Sequence, residues 1–106
     1  MRLQFFTPSL TLSEPERESV EKRVSVALRR FAKRIIDLKI TLDDVNGPKG
    51  GNDKRCKLQA AVKAGKLHVA EGNHVDPVAA AGAAAERLVR QLAEDSQKIV
   101  ETKRNA

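Results

Sequence analysis

Hydrophobic and polar residues alternate along three parts of the chain, and this spacing predicts β-strands. The short segment 2–6 places Leu3 and Phe5 on one face of a first strand. Two longer segments alternate regularly, with inward positions predicted at Ile36, Leu38, Ile40, Leu42, Cys56, Leu58, Ala60 and Val62. A tight turn at 64–66 leads into a fourth strand over 67–71, which should end at Gly72 and Asn73.

Apolar residues recur every three or four positions in two other segments, and this spacing predicts amphipathic helices. The first helix opens with a capping box between Ser13 and Glu16, and the second opens at Asp76, an N-cap followed by Pro77. The predicted buried stripes are Val20, Val24, Leu28, Phe31 and Ile35 in the first helix, and Val78, Ala81, Ala85, Leu88, Leu92 and Ile99 in the second. The many alanines of the second helix should let it lie close to the element it packs on.

The order of elements is therefore β-α-β-β-β-α, an α+β fold with a four-stranded sheet. The first β-α-β unit should be a right-handed crossover between parallel strands, and the remaining strands should form an antiparallel meander. Because the second and third strands each have one polar face, both helices should cover the opposite face. We expect one domain over residues 1–102 and a frayed tail over 103–106, because a chain of 106 residues has room for one core.

The charge balance favours an anionic partner. The 20 Lys and Arg residues exceed the 14 Asp and Glu residues, so the net charge is +6. Such a protein is attracted to nucleic acid before specific contacts form, although an anionic membrane surface and charge that serves only solubility are alternatives. With no apolar signal segment and no run of about 18 apolar residues, we expect a cytoplasmic protein that has no membrane partner.

Basic residues that could bind phosphate fall into two regions. The first is the end of the first helix, with Arg23, Arg29, Arg30, Lys33 and Arg34. In the alternative interpretation, these bases form a solvated face that complements the helix dipole.

The second basic region runs from the glycine-rich loop Asn46–Asn52 into the third strand. Its bases are Lys49, Lys54, Arg55, Lys57 and Lys63. Glycines let a backbone approach a phosphate, but the loop could equally be a plain connection. Lys57 and Lys63 should lie on the open face of the sheet, which could contact RNA or simply be solvated, and which lacks the aromatic residues needed to stack bases.

The single cysteine, Cys56, raises an enzyme hypothesis, because a cysteine with His68 or His74 could form a nucleophile pair. Cys56 has the same strand parity as Leu58, so we expect a buried and inert thiol instead. Cysteine and histidine are too few for a structural zinc site, and the loop lacks the spacing of a nucleotide-binding P-loop. We therefore expect no catalytic residues, no metal, no cofactor and no small-molecule substrate.

Three stretches of the sequence resemble the ribosome hibernation-promoting family, also called the ribosome-associated inhibitor or sigma-54 modulation (S30EA) family. They are Leu12–Leu42, Asp44–Cys56, and His68–Asp76 with the alanine-rich helix that contains Arg87–Leu92. The resemblance implies a fold related to double-stranded-RNA-binding domains. It also implies binding in the decoding channel of the small ribosomal subunit, inhibited translation in resting cells, and no catalysis or cofactor.

The sequence departs from the family pattern in its last helix, which is usually strongly basic. Here Arg87, Arg90 and Lys98 are accompanied by four acids. Because the chain ends soon after this helix, we expect a short-form monomer without the C-terminal domain through which long members pair ribosomes. Arg87 and Arg90 complete the candidate RNA-binding residues. A general RNA- or DNA-binding module and a small cysteine-dependent enzyme remain the alternative functions.

Overall fold

The computed structural model describes residues 1–8, 10–44, 53–63 and 65–105, with side chains described no further than residue 95. The elements are β1 (Arg2–Phe6), α1 (Glu14–Ala27), a 3-10 turn (Arg29–Phe31), β2 (Ile35–Asp44), β3 (Lys54–Val62), β4 (Leu67–His74) and α2 (Pro77–Asn105). This order confirms the predicted β-α-β-β-β-α fold. The loop Asn46–Asn52 with Lys49, and the side chain of Ile99, lie outside the described residues.

The four strands form one sheet in the order β1-β2-β3-β4. Strand β1 is parallel to β2 and pairs Leu3 with Leu38, whereas the pairs β2–β3 and β3–β4 are antiparallel. Both the parallel first pair and the antiparallel meander were predicted, and they are confirmed. None of the described helices combines the length and apolar character needed to span a bilayer.

Both helices pack on the same face of the sheet, as predicted, and share one core with it. The sheet contributes Leu38, Ile40, Leu42, Cys56, Leu58, Ala60, Val62 and Ala70, and the helices contribute Val20, Val24, Ala80, Ala81, Ala84, Ala85, Leu88 and Leu92. Small side chains dominate the α2 side of this core, so the helix backbone lies close to the strands. A Cβ added to Gly72 of β4 would lie 2.6 Å from the carbonyl oxygen of Ala80.

The predicted first helix is too long. Helix α1 begins at the expected capping box, in which the Glu16 amide donates to the Ser13 hydroxyl, but it ends at Ala27. Phe31 lies in the 3-10 turn and is buried, and Ile35 is the first residue of β2. The apolar stripe continued past the helix because a 3-10 turn has nearly the same period. Of the bases that were assigned to the helix end, Arg29, Arg30, Lys33 and Arg34 therefore follow the helix, whereas Arg23 lies within it. The last turn of α1 holds no basic residue.

The alternation in β2 is interrupted at its start. Ile35 is buried and Ile36 is 51% exposed, because the pairing with β3 shifts between Ile35 and Asp37. The prediction that Ile36 points into the core is therefore wrong. Strand β4 continues to His74, beyond its predicted end at Gly72 and Asn73. Gly72 therefore lies inside the strand, where the close approach of α2 leaves no room for a side chain. Helix α2 extends to Asn105 and so includes residues 103–105 of the predicted tail.

Candidate nucleic-acid interface

The boundary between the two helices forms a basic groove, which we call the interhelical groove. It is lined by Ser19, Lys22, Arg23, Val26 and Val78. The Arg23 side chain lies against Gly82 of α2, where an added Cβ would be 2.9 Å from Arg23 Nε. The absence of a side chain at Gly82 therefore leaves room for the Arg23 guanidinium to lie against α2. Lys22, which was not among the predicted site residues, lies in the same groove.

The 3-10 turn after α1 carries a second group of cations. Arg29, Arg30 and Lys33 are exposed, and within the described residues none of them pairs with an acid. Arg30 is held by the buried Phe31, whose ring centroid lies 5.3 Å from the guanidinium carbon. We call Arg29, Arg30 and Lys33 the turn cluster. The segment between α1 and β2, in which Phe31 is buried, thus exposes three neighbouring cations to solvent.

Arg34 follows the turn cluster in sequence but serves the fold. It donates to the carbonyl oxygen of Leu92 at 3.4 Å and pairs with Asp95 at 3.5 Å. Its guanidinium also lies 5.7 Å from the Phe31 ring centroid. These contacts join the start of β2 to the second half of α2, so the predicted RNA-binding role of Arg34 competes with a structural one.

Asp95 is the one charged residue that the described part of the fold buries. Lys66 Nζ lies 2.8 Å from its carboxylate, and His68 Nε2, which has no hydrogen-bond partner, lies 3.7 Å away. The hydrogen bond from Lys66, helped by the charges of Lys66, His68 and Arg34, holds the pKa of Asp95 below its ordinary value although burial acts in the opposite direction. We call these four side chains the Asp95 cluster. Asp95 is one of the four acids that accompany the bases of the last helix, but its charge is neutralised inside the fold.

Two of the predicted strand cations are paired within the sheet. Arg55 donates two hydrogen bonds to Asp43, at 3.0 and 3.3 Å, and these raise the pKa of the guanidinium. Lys54 lies 3.6 Å from Asp44, and only 16% of its side chain is exposed. Lys57 and Lys63 alternate with the buried positions of β3, so both lie on the open side of the sheet, as predicted. An RNA phosphate that binds Lys54 or Arg55 would therefore have to displace the carboxylate already paired with that cation. Lys57 has no such ion pair within the described residues.

The two candidate bases on α2 differ in their surroundings. Arg87 donates to the carbonyl oxygen of Glu71, and Gln91 donates to that of Val69 at 2.8 Å. These side chains cover carbonyl groups on the outer edge of β4, which protects that edge from pairing with another strand. Arg90 is exposed and makes no such contact within the described residues. Arg90 is therefore the more available of the two.

Cys56 is fully buried, as predicted. Burial, with a smaller contribution from the charge of Asp43, raises the pKa of its thiol to about 12. Since the thiolate is the nucleophilic form, a thiol that stays protonated at neutral pH is a poor nucleophile. In the described ranges no three His, Cys, Asp or Glu side chains are grouped so that they could hold a metal ion.

The open face of the sheet does carry an aromatic side chain, contrary to expectation. Phe6 ends β1 opposite Thr41, and 53% of the residue is exposed. Lys39 Nζ lies 5.4 Å from the Phe6 ring centroid. The alternation in β1 could have revealed this side chain, because Leu3 and Phe5 point inward and Phe6 must then point outward.

Comparison with known proteins places the chain in a family. The family model described as sigma 54 modulation protein / S30EA ribosomal protein matches residues 4–100. The Protein Y N-terminal domain of Thermus thermophilus superposes with a TM-score of 0.67 at 24% identity, over 86% of this chain and 94% of that one. A ribosomal subunit interface protein from Coxiella burnetii superposes with a TM-score of 0.75 at 16% identity, over 92% and 99% of the two chains.

No curated protein matches the sequence significantly. The two solved structures share the fold of this chain, and the family model extends from β1 into the second half of α2. Because that match covers nearly the whole sequence, the chain belongs to the sigma 54 modulation protein / S30EA ribosomal protein family.

Proposed function

We propose that this protein is a ribosome-associated translation inhibitor that binds the small ribosomal subunit through rRNA phosphates. Membership of the S30EA ribosomal protein family supports ribosome association, and so does the shared fold of the Coxiella burnetii subunit interface protein. The observation that carries the proposal is the turn cluster, in which Arg29, Arg30 and Lys33 are exposed side by side without acidic partners in the described residues. Unpaired neighbouring cations bind phosphates without first giving up an internal ion pair.

The fold orders some of these cations before any ligand arrives. The Arg30 guanidinium lies over the ring of the buried Phe31, and the Arg23 guanidinium lies against Gly82 of α2. Fixing a long side chain on binding costs about 0.5–1.5 kcal/mol, so a restrained guanidinium loses less on binding phosphate. The turn cluster and the interhelical groove therefore form the proposed main contact surface, with Arg90 as a further contact.

The other candidate bases have weaker claims. Arg34, Lys54, Arg55 and Arg87 take part in contacts within the fold. Lys57 and Lys63 lie on the opposite side of the sheet from the helices and would require a second contact surface. We therefore assign the phosphate contacts first to Arg23, Arg29, Arg30 and Lys33.

A salt titration of small subunits tests this assignment. If about four cations each neutralise one phosphate, affinity should fall roughly 50- to 150-fold between 50 and 200 mM salt. Arg30→Gln should weaken binding and reduce the log–log slope by about one. Lys54→Gln is the matched control, because it removes the same charge from a cation already paired with Asp44 and should change the slope less.

Three outcomes would refute the proposal. Wild-type affinity that ignores salt would exclude phosphate contacts. Equal binding to small subunits and to unrelated RNA of the same length would favour a general nucleic-acid-binding module. Binding that leaves cell-free translation unaffected would remove the inhibitor function. An activity lost on Cys56→Ser would instead revive the enzyme hypothesis, against which the raised pKa of that thiol argues.

A further inference from the structure

Phe6 has surroundings unlike those of the other two phenylalanines. Phe31 is buried in the core and Phe5 packs partly against it, whereas Phe6 leaves 53% of its surface in water on the open side of the sheet. Fully burying such a side chain is worth about 1.5–3 kcal/mol, so the fold leaves part of this gain unused. A single exposed apolar residue is common, and its neighbours decide whether it is informative.

The cross-strand neighbours of Phe6 are polar. Thr41 lies directly opposite on β2, Lys39 and Asp43 lie diagonally beside it, and Lys57 follows Thr41 on β3. Lys57 is two strand spacings from Phe6, or about 10 Å. The other exposed apolar residues of the strands are Ile36 at the start of β2, and Leu67 and Val69 of β4 at the far edge of the sheet. Phe6 is thus one aromatic ring among polar groups, and not the centre of an apolar patch of the kind a protein partner would cover.

The charges around the ring favour an anionic ligand. Asp37 is neutralised by Arg2 at 2.7 Å, and Asp43 is neutralised by Arg55 at 3.0 Å. Lys39 and Lys57 have no such ion pair within the described residues, although the exposed Glu71 of β4 lies opposite Lys57 on the side away from Phe6. Lys39 Nζ lies 5.4 Å from the ring centroid. The region next to Phe6 therefore combines an accessible ring with two available ammonium groups.

A ring beside cations matches the chemistry of an unpaired nucleotide. Proteins bind single-stranded RNA by stacking bases on aromatic side chains while basic groups contact the backbone phosphates. We infer that the open sheet face around Phe6, Lys39 and Lys57 binds an unpaired stretch of RNA, with one base stacked on Phe6. This inference rests on the proposed RNA-binding function and adds a second contact surface, on the side of the sheet away from the helices.

The chain allows a direct optical test, because it contains no Trp and no Tyr. Phe6→Trp, made in the full chain, introduces a single strong fluorophore at the proposed stacking position. A ten-nucleotide unpaired RNA should quench this fluorescence as it binds, because a stacked base quenches an indole ring. An abasic oligonucleotide with the same number of phosphates should bind without comparable quenching. Saturating RNA that leaves the fluorescence unchanged would overturn the inference.

An affinity series on the same RNA gives the magnitude. Phe6→Ala should weaken binding about 5- to 150-fold, the loss expected for one base–aromatic stack, whereas Phe6→Trp should bind at least as well as wild type. Leu67→Ala is the matched control, because it truncates a 60% exposed side chain on the far strand and should leave affinity unchanged. Equal loss in both variants would indicate a nonspecific effect and contradict the stack. Equal affinity of wild type and Phe6→Ala would do the same.

Failure of this inference is distinguishable from failure of the proposed function. If only the stack is wrong, Phe6→Ala will bind unpaired RNA like wild type, and the Arg30→Gln variant will still bind small subunits more weakly than wild type. If ribosome binding itself is wrong, wild-type protein will not sediment with small subunits. Quenching of the Phe6→Trp protein by an unrelated protein or peptide, with no response to RNA, would indicate a docking surface of another kind and refute the assignment to RNA.

Discussion

Gly72 should be the position in the sheet that least tolerates a side chain. A Cβ added there would lie 2.6 Å from both Ala80 O and Ala84 N, and 2.8 Å from Ala83 Cβ, whereas ordinary contacts begin at 3.4 Å. Two of these atoms belong to the α2 backbone and cannot rotate away. Gly72→Ala must therefore separate α2 from β4 by roughly 0.8 Å, a gap that forfeits a quarter to a half of each dispersion contact along the interface.

The magnitude follows from that geometry. Overpacking a core by one methyl group typically costs about 1–3 kcal/mol. Because the added Cβ is fixed to the β4 backbone and two of the atoms it meets belong to the α2 backbone, we expect the upper half of that range. The lower entropy of unfolded alanine offsets about 0.5–1 kcal/mol, so we expect a net loss of about 1–2 kcal/mol in the free energy of unfolding. With a urea m-value of about 1–1.5 kcal/mol/M, the midpoint of urea unfolding should fall by about 1 M.

Gly65 is the control because it needs glycine for a different reason. Its φ is +87°, and a Cβ there would meet nothing within 4 Å. Gly65→Ala should cost about 1–2 kcal/mol through backbone strain, and Gly65→Asn should recover part of this because asparagine tolerates positive φ. Gly72→Asn should instead be worse than Gly72→Ala, because its side chain is larger. A Gly72→Ala protein as stable as wild type would refute the close packing of α2 on β4.

Three further predictions follow from the same packing and charges. Cys56→Ala should lower the free energy of unfolding by about 1–2 kcal/mol in chemical denaturation and leave small-subunit binding intact; loss of binding in a folded variant would contradict the structural role of the thiol. Gly82→Ala should displace the Arg23 guanidinium, weakening small-subunit binding while leaving stability unchanged or up to about 1 kcal/mol higher; the double variant with Arg23→Ala should bind no more weakly than Arg23→Ala alone. Asp95→Asn should be less stable than wild type at pH 7. Because the folded pKa of Asp95 lies below its ordinary value of 3.8, the stabilisation is present above that value and disappears as pH falls through the folded pKa, so the difference between the two proteins should shrink in acid; a difference equal at pH 7 and in acid would contradict the ion pairs of Asp95.

Local signals determined most of the fold. The capping box at Ser13 and the Asp76–Pro77 start of α2 depend on side chains that contact backbone within one turn, so sequence spacing is enough to find them. Strand alternation located the buried positions from Leu38 to Leu42 and from Cys56 to Val62, because a regular strand turns every second residue to the same face. The predicted burial of Cys56, which weakened the enzyme hypothesis, followed from that parity alone.

Tertiary packing decided what these local patterns left open. The apolar stripe through Leu28 and Phe31 is compatible with a longer helix, and only the folded chain shows that α1 ends at Ala27 and that the buried Ile35 begins β2. The shift that exposes Ile36 likewise depends on pairing with β3, whose residues are distant in the sequence.

The availability of each charge is also a property of the folded chain. A count of bases treats Arg34, Arg55 and Arg30 alike, but the fold brings Asp95 to the first and Asp43 to the second, and leaves the third exposed on Phe31. The sequence by itself determined the positive charge and the faces of the strands. Only the tertiary structure decided which cations remain available for a ligand, because ion pairs form between groups that the fold brings within a few ångströms, whatever their separation along the chain.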